Sequence, residues 1–329
     1  MKNNKKDWIT YSFTNQLIKT AKKNKKVILM DADLADDADL YKFKKKYPNR
    51  FIQNGIAEQD MVSMAGGLSL MGLLPVVNSF ASFLTARANE QIFNNASEKT
   101  KIIYVSLYSG LLPAGAGKSH QSTRDISLLS NIPNMKIYHP YNSLEVQKIL
   151  KHCIYKEKNN CSIRLTIGPP YPEQPKLGKN YKFCDGEGNT MVKGKKYLII
   201  AYGQLMLRQA INVSKILRKE KIYVEVVNMP CINYFKKNWA KKILKSKKKI
   251  FLFDEHYSSG GFADIFLSFL NQNNLSKNKI IKKVAVNDFP SCGLPNEVLK
   301  FHNLDEKSLI KTIYFNFLFL RVNLDDLFG

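Results

Sequence analysis

Cysteine is scarce and unpaired, arginine is scarce beside lysine, and no apolar run is long enough to cross a bilayer. The 329 residues hold five cysteines (Cys153, Cys161, Cys184, Cys231 and Cys292), with no CxxC spacing among them. Their odd number and scatter argue against a disulfide framework or a structural zinc site, and fit reduced thiols. No segment approaches the roughly 20 apolar residues of a membrane helix. The basic N-terminus is not followed by the apolar stretch of a signal peptide. The expectation is a soluble, cytoplasmic protein. Of 51 basic residues only seven are arginine, and the net charge of +24 is spread as lysine through every segment. Arginine does most planar, bidentate recognition of phosphates and bases. A scattered lysine excess without a basic stripe therefore argues against a specific nucleic-acid binder.

What is present is an alternation of short apolar runs with helical patterns. VILMDADL (27–34), LLPVVNSF (73–80), KIIYVSLY (101–108), MKIYHP (135–140) and CSIRLTIG (161–168) read as strands. Helical spacing lies near 10–23, 58–71, 84–97, 122–131 and 143–155. After a turn-rich stretch the alternation restarts, with strand-like runs at 197–203, 223–229, 249–256 and 280–286. The fold class expected is α/β, with two three-layer domains built on mostly parallel sheets. The boundaries expected are a first domain over 8–170, a linker over 171–195, a second domain over 196–313 and an aromatic tail over 314–329.

The segment RFIQNGIAEQD (50–60) is chemically the most telling. A strand-like step runs into Gly55, and Glu58 then opens an apolar helix carrying Met61, Met64, Ala65 and Leu68. Gly66 and Gly67 would permit close backbone packing. A carboxyl in that setting is partly desolvated, so it can hold a proton and donate it to a basic ring nitrogen. A first-turn glutamate also complements the helix dipole, and the segment alone does not separate the two. Phe80 and Phe83 sit at a strand end, where sites of parallel sheets gather, and either could stack a flat ring. They could equally be core aromatics. A loop with Gly110, Gly115 and Gly117 delivers His120, which can exchange protons near neutral pH. That loop has neither the Walker nor the dinucleotide-binding spacing. Asp254, Glu255 and His256 end a strand. Successive strand side chains alternate between faces, so the trio reads as a domain-contact feature rather than a metal cluster.

The ordered segments GIAEQDMVSMAGGLSLMGLLPVVNSFASFLTARANEQI and SHQSTRDISLLSNIPNMKIYHP resemble the pyrimidine-binding domain of transketolases. LIIAYGQLMLRQAINVSKIL, VEVVNMPCIN, DEHYSSGGFADIF and NDFPSCGLPNEVL resemble the C-terminal domain of the same family. The likeness is greatest to the C-terminal half of split transketolases and runs from about Trp8 to Ile313. It implies thiamine diphosphate as cofactor, with Mg2+ or a similar divalent metal held mainly by a separate diphosphate-binding domain. The chain lacks that domain's GDG…N-type motif. The resemblance therefore implies a separately encoded partner subunit and a dimer of heterodimers. It casts Glu58 as the group that protonates the aminopyrimidine ring and so promotes loss of the thiazolium proton. It places Phe83 on the aminopyrimidine, Phe80 in the same pocket, Arg87 at the site mouth, Asp33 near the dimer interface and His120 on substrate hydroxyls.

Two positions depart from the family pattern. Ala116 stands where an aspartate usually contacts a sugar hydroxyl, and Ile167 where an arginine usually meets the substrate phosphate, so that only Arg164 survives. Loss of a polar contact changes specificity strongly, so ketol transfer on a non-standard sugar is expected. Two further readings stand beside this one. They are the beta subunit of a 2-oxo-acid dehydrogenase decarboxylase and a non-catalytic subunit that keeps the fold.

Overall fold

A computed structural model describes residues 8–168, 177 and 181–317. The remainder of the expected linker's first half and residues 318–329 of the expected tail lie outside these. The first sheet consists of β1 (Val27–Asp31), β2 (Phe51–Gln53), β3 (Leu74–Phe80), β4 (Ile103–Leu107), β5 (Lys136–Tyr138) and β6 (Cys161–Leu165). Its order is β2-β1-β3-β4-β6-β5, and every pairing is parallel. β1, β4 and β6 are buried along their whole length. That burial explains why they read as continuous apolar runs rather than alternating ones. The sheet is accompanied by α1 (Ile9–Lys23), α2 (Tyr41–Lys46), α3 (Glu58–Leu70), α4 (Ala81–Arg87), α5 (Asn89–Ser97), α6 (Asp125–Ser130) and α7 (Ser143–Tyr155).

Three elements of this first domain differ from the sequence expectation. The helix expected over 84–97 is two helices, because Ala88 (φ −101°, ψ 21°) breaks the turn between α4 and α5. α6 is shorter than 122–131, since Ser122 is engaged in backbone bridges to Ser109 and Gly110. The lysine-rich YKFKKK of α2 carried no apolar periodicity, and only Phe43 of it is buried.

The second sheet has β7 (Asn189–Val192), β8 (Tyr197–Ala201), β9 (Val224–Asn228), β10 (Lys249–Tyr257) and β11 (Ile280–Val286), in the order β11-β10-β8-β9-β7. Only β7 is antiparallel. It falls inside the stretch expected as linker, which is therefore not all linker. Four residues flanked by Gly188 and Gly194 look like a turn, yet Val227 and Trp239 pack against Gly188 so closely that a Cβ there would meet them at 2.7 and 2.8 Å. The helices are α8 (Gly203–Lys219), α9 (Lys237–Leu244), α10 (Phe262–Gln272), α11 (Pro295–Phe301) and α12 (Glu306–Phe317). α12 takes in 314–317, the start of the expected tail. Among the described residues no helix is long and apolar enough to cross a membrane.

The domains are joined in two ways. β5 is an edge strand, and an exposed edge invites unwanted pairing. Here the segment after β9 covers it. His139 N donates to Pro230 O (2.9 Å), Ile232 N to Ile137 O (2.8 Å), and the Asn233 side chain bridges Ile137 N and Met135 O. Beneath this seam lies a charged network. The fully buried Arg164 donates Nε to Asp125 Oδ2 (2.7 Å) and Nη2 to Asp125 Oδ1 (3.2 Å), while Nη1 lies 2.8 Å from His139 Nδ1. Burial, then the Arg164 charge, holds His139 well below its ordinary pKa. The ring is thus neutral, and Nδ1 accepts from the guanidinium. From the second domain Glu255 Oε1 comes within 3.6 Å of His139 Nδ1, and Glu255 Oε2 accepts from Leu111 N (3.3 Å). His256 Nε2 accepts from Ser127 N (3.3 Å). A register shift between Phe253 and Tyr257 relaxes strict alternation, so consecutive residues of β10 both reach the first domain.

Removing one partner of a buried ion pair leaves an uncompensated charge. Asp125→Ala is therefore expected to cost about 3–5 kcal/mol, measured by urea unfolding, and a loss under about 1 kcal/mol would refute a structural role for the pair. Burial also pushes Glu255 up to about 7 from an ordinary 4.5. A folded-state pKa above the unfolded one contributes stability that is complete below about 4.5 and lost as pH rises through about 7. Between pH 5 and pH 8, Glu255→Gln should therefore gain roughly 1–3 kcal/mol relative to wild type. His139 titrates in both proteins and drops out of that difference.

Candidate functional site

Glu58 is the first residue of α3 and is 3% exposed, beside the carboxyl ends of β1 and β3. α3 buries Met61, Val62 and Ala65, while Met64, expected on the apolar face, is 40% exposed. Gly66 is where α3 meets α5: a Cβ there would lie 2.1 Å from Asn95 Oδ1, and Asn95 Nδ2 donates to Val62 O (2.8 Å). Gly67, expected to share this role, has nothing within 4 Å of its missing Cβ.

The Glu58 carboxylate accepts from Ser79 Oγ (3.0 Å) at the end of β3. Arg87 Nη1 lies 3.2 Å from Oε2, and its guanidinium sits 4.1 Å from the centre of the Phe83 ring. Phe80 and Phe83 are 5.9 Å apart, and the His120 imidazole stands edge-on to both, at 5.8 and 5.0 Å. Both phenylalanines are only partly buried, and one face of Phe83 carries the Arg87 guanidinium. Five of the six residues marked out by sequence thus converge: Glu58, Arg87, Phe83, Phe80 and His120.

Asp33 is placed apart from them. It is exposed, with φ +62°, and its backbone N–H donates to Gln53 Oε1 (2.9 Å). The buried acid of that segment is Asp31. It accepts from Asn78 Nδ2 (2.6 Å), Gln53 Nε2 (3.0 Å) and Leu34 N (3.0 Å), and burial raises its pKa against those hydrogen bonds. Sequence reasoning also missed Tyr108. Its ring lies 5.4 Å from Phe80 and 6.3 Å from His120, and its backbone is left-handed (φ +56°). An aromatic ending an apolar run carries no sequence signal of that conformation, which a non-glycine residue adopts only when its surroundings impose it. Ser79, buried in β3, was likewise unmarked.

His120 is delivered by turns at Gly110 (φ +93°) and Gly117 (φ +77°). Ser119 Oγ lies 3.0 Å from His120 Nδ1 and fixes the ring. At Gly110 a Cβ would lie 2.2 Å from Glu255 Oε2, so the glycine is what lets the second domain press on this loop. Among the described residues one His–Glu–Asp group could in principle hold a metal, His152, Glu157 and Asp185. Lys136 Nζ already lies 2.8 and 2.5 Å from its two carboxylates and offsets one of their two charges.

Residues 5–167 match the family model for the transketolase pyrimidine binding domain, and 186–309 match the transketolase C-terminal domain. The putative transketolase C-terminal section of Methanocaldococcus jannaschii is 30% identical over 307 residues, covering 90% of this chain and 92% of its own length. The chain belongs to the transketolase family. The 1-deoxy-D-xylulose-5-phosphate synthase of Halothermothrix orenii is also 30% identical, over 94% of this chain but 48% of its own length, so the chain spans about half of that relative. A solved split-gene transketolase, described as an inactive β4 tetramer, superposes with a TM-score of 0.81 at 26% identity, covering 92% of this chain and 95% of that one. The transketolase of Campylobacter jejuni shares the fold, with a TM-score of 0.74 at 18% identity over 95% of this chain and 47% of that one.

Within this transketolase-family chain the two departures have distinct settings. Ala116 is exposed on the glycine loop, whereas Ile167 packs partly buried against the core. Arg164, the arginine that survives, is sealed in the ion pair with Asp125 and has no exposed surface to offer a ligand.

The two glycines of α3 should respond oppositely to alanine. Gly66→Ala forces Asn95 away from Val62 O and should destabilise the fold. Gly67→Ala, in an open helical position, should stabilise it by about 0.5–1 kcal/mol. Thermal unfolding of the two variants checks the sign of each.

Proposed function

We propose that the chain is the C-terminal half of a split transketolase, performing thiamine-diphosphate-dependent ketol transfer between sugars with a partner that carries the diphosphate-binding domain. The observation that supports this most is Glu58, a nearly buried carboxyl at a helix start, facing a mouth walled by Phe83, Phe80 and His120. A nearly buried carboxyl beside partly exposed aromatic rings fits an aminopyrimidine: Phe83 and Phe80 would contact the ring, and Glu58 would face a ring nitrogen. When bound, the cofactor supplies the nucleophilic carbon that makes and breaks the carbon–carbon bond. The chain's own part is to orient that ring, to hold or pass a proton at a Glu58 carboxylate oxygen, and to keep Ser79 Oγ and Arg87 Nη1 on the same carboxylate. His120, steered by Ser119, would bind substrate hydroxyls or move their protons.

Diphosphate and Mg2+ would be held mainly by a second chain: the one His–Glu–Asp group among the described residues that could hold a metal has Lys136 on both of its carboxylates. The inactivity of the solved split-gene β4 tetramer supports that partner dependence. We infer a dimer of heterodimers, working in the cytoplasm and in carbohydrate metabolism. Ala116 and Ile167 favour a non-standard sugar. Glu58→Ala in the reconstituted complex should lower ketol transfer roughly 10²-fold or more with unfolding unchanged. An unchanged rate would refute the catalytic reading and favour a subunit that only maintains assembly. A second reading rests on the likeness to 1-deoxy-D-xylulose-5-phosphate synthase, and formation of that product by the same complex would support it.

A further inference from the structure

Beside the His120 loop lies a cleft of about 390 Å³ that the reading above leaves unassigned. Its first-domain wall carries Ser82, Lys118, Ser119, Gln121 and Arg124, and the second domain closes it with Phe289. Four observations give it chemical character. No acidic side chain lines it, while two cations do. The nearest acid in sequence, Asp288, already accepts from Phe289 N (2.7 Å). Two polar atoms in its wall, Ser82 Oγ and Gln121 Oε1, are buried without a hydrogen-bond partner, an arrangement that costs free energy unless something pairs with them. Gln121 is 4% exposed and anchored through Nε2 to Leu111 O (2.9 Å) and Ser291 O (3.1 Å), so its free oxygen is held in place.

The cleft is physically coupled to the candidate site. Ser119, which lines it, contacts the His120 ring, and Ser82 is the neighbour of Phe83. The second domain grips the same loop from the other side. Lys118 Nζ stands 5.9 Å from the Phe289 ring, and Cys292 Sγ donates to Gly115 O (3.5 Å). Phe289 is 73% exposed, a large ring presented to solvent at the rim of a cationic hollow.

We propose that this cleft is an anion subsite built by both domains, which takes the charged end of a hydroxylated substrate whose other end reaches His120. Lys118 and Arg124 would neutralise the anion. Gln121 Oε1 and Ser82 Oγ would pair with hydroxyls behind it, and Phe289 would exclude water from the charge pair. This location would replace the cationic position that Ile167 no longer offers, and it makes the second domain a determinant of specificity. The proposal rests on the transketolase reading only for what lies at His120. The chemistry of the cleft fits either a phosphate or a carboxylate.

Calorimetric titration of the full chain without cofactor tests it, with D-ribose 5-phosphate, D-gluconate and D-ribose as probes. At least one anionic probe is expected to bind tenfold or more tighter than D-ribose, and which one does so separates phosphate from carboxylate. Lys118→Ala/Arg124→Ala, both exposed positions, should weaken that probe at least tenfold. Phe289→Ala should weaken it about threefold or more, and Lys241→Ala, at an exposed α9 position that does not line the cleft, should leave it unchanged. Equal binding of the three probes, or a double variant that binds as wild type, overturns the subsite. A Phe289→Ala variant that binds as wild type overturns the second domain's share. Because this binding needs neither partner nor cofactor, its failure is separate from a failure of the ketol-transfer assay.

Discussion

The buried pair between Arg164 and Asp125 is the contact on which both domains depend. Arg164 comes from β6, the neighbour of the edge strand β5, and Asp125 from the start of α6, directly after the loop that carries His120. By holding α6 to β6 the pair fixes where that loop ends. By sharing Nη1 with His139 it fixes the ring that Glu255 approaches from the second domain. A fully buried guanidinium is tolerable only when its donors are matched, and here two carboxylate oxygens and a neutral imidazole match them. The arrangement makes the chemistry of one domain conditional on the docking of the other.

That dependence reaches the candidate site through the glycine loop. Gly110 lets Glu255 approach, Gly117 turns the chain back, and His120 then meets Phe80, Phe83 and Tyr108 edge-on. On the opposite side Glu58 is set by the α3–α5 contact at Gly66 and by Ser79 of β3. The mouth is thus defined by two rigid elements and one loop, and the loop is braced from outside its own domain. Fixing reactive side chains before ligand arrives is what a site needs if their alignment is not to be lost to side-chain freedom.

Much of this was legible in the sequence because the strands of a sheet covered on both faces are continuous apolar runs, and β1, β3, β4, β6, β8, β9 and β10 all stand out as such. Glu58, Phe80, Phe83, Arg87 and His120 were legible as motif positions, and their convergence follows from lying on segments that end at one edge of the sheet. What was not legible shares one property: it depends on contacts between distant segments. β7 pairs with β9 across 39 residues of sequence, as the Asn189–Asn228 pairing shows, and its glycines disguise it. Tyr108 is held in a left-handed conformation by its surroundings. Asp31 rather than Asp33 is the buried acid because Asn78 and Gln53 come from neighbouring strands. Arg164 looked like a remnant of ligand binding until its burial showed it to be an internal counter-ion.

The cover that residues 230–233 lay over the edge of β5 bears on how such chains can be divided by evolution. A cut anywhere between 168 and 189 would leave the first piece with an unpaired strand edge at β5, and the second with Glu255 and His256 facing water. Neither piece would be a sound inheritance on its own. The pair of domains is therefore expected to travel through gene fission, fusion and shuffling as a single heritable block.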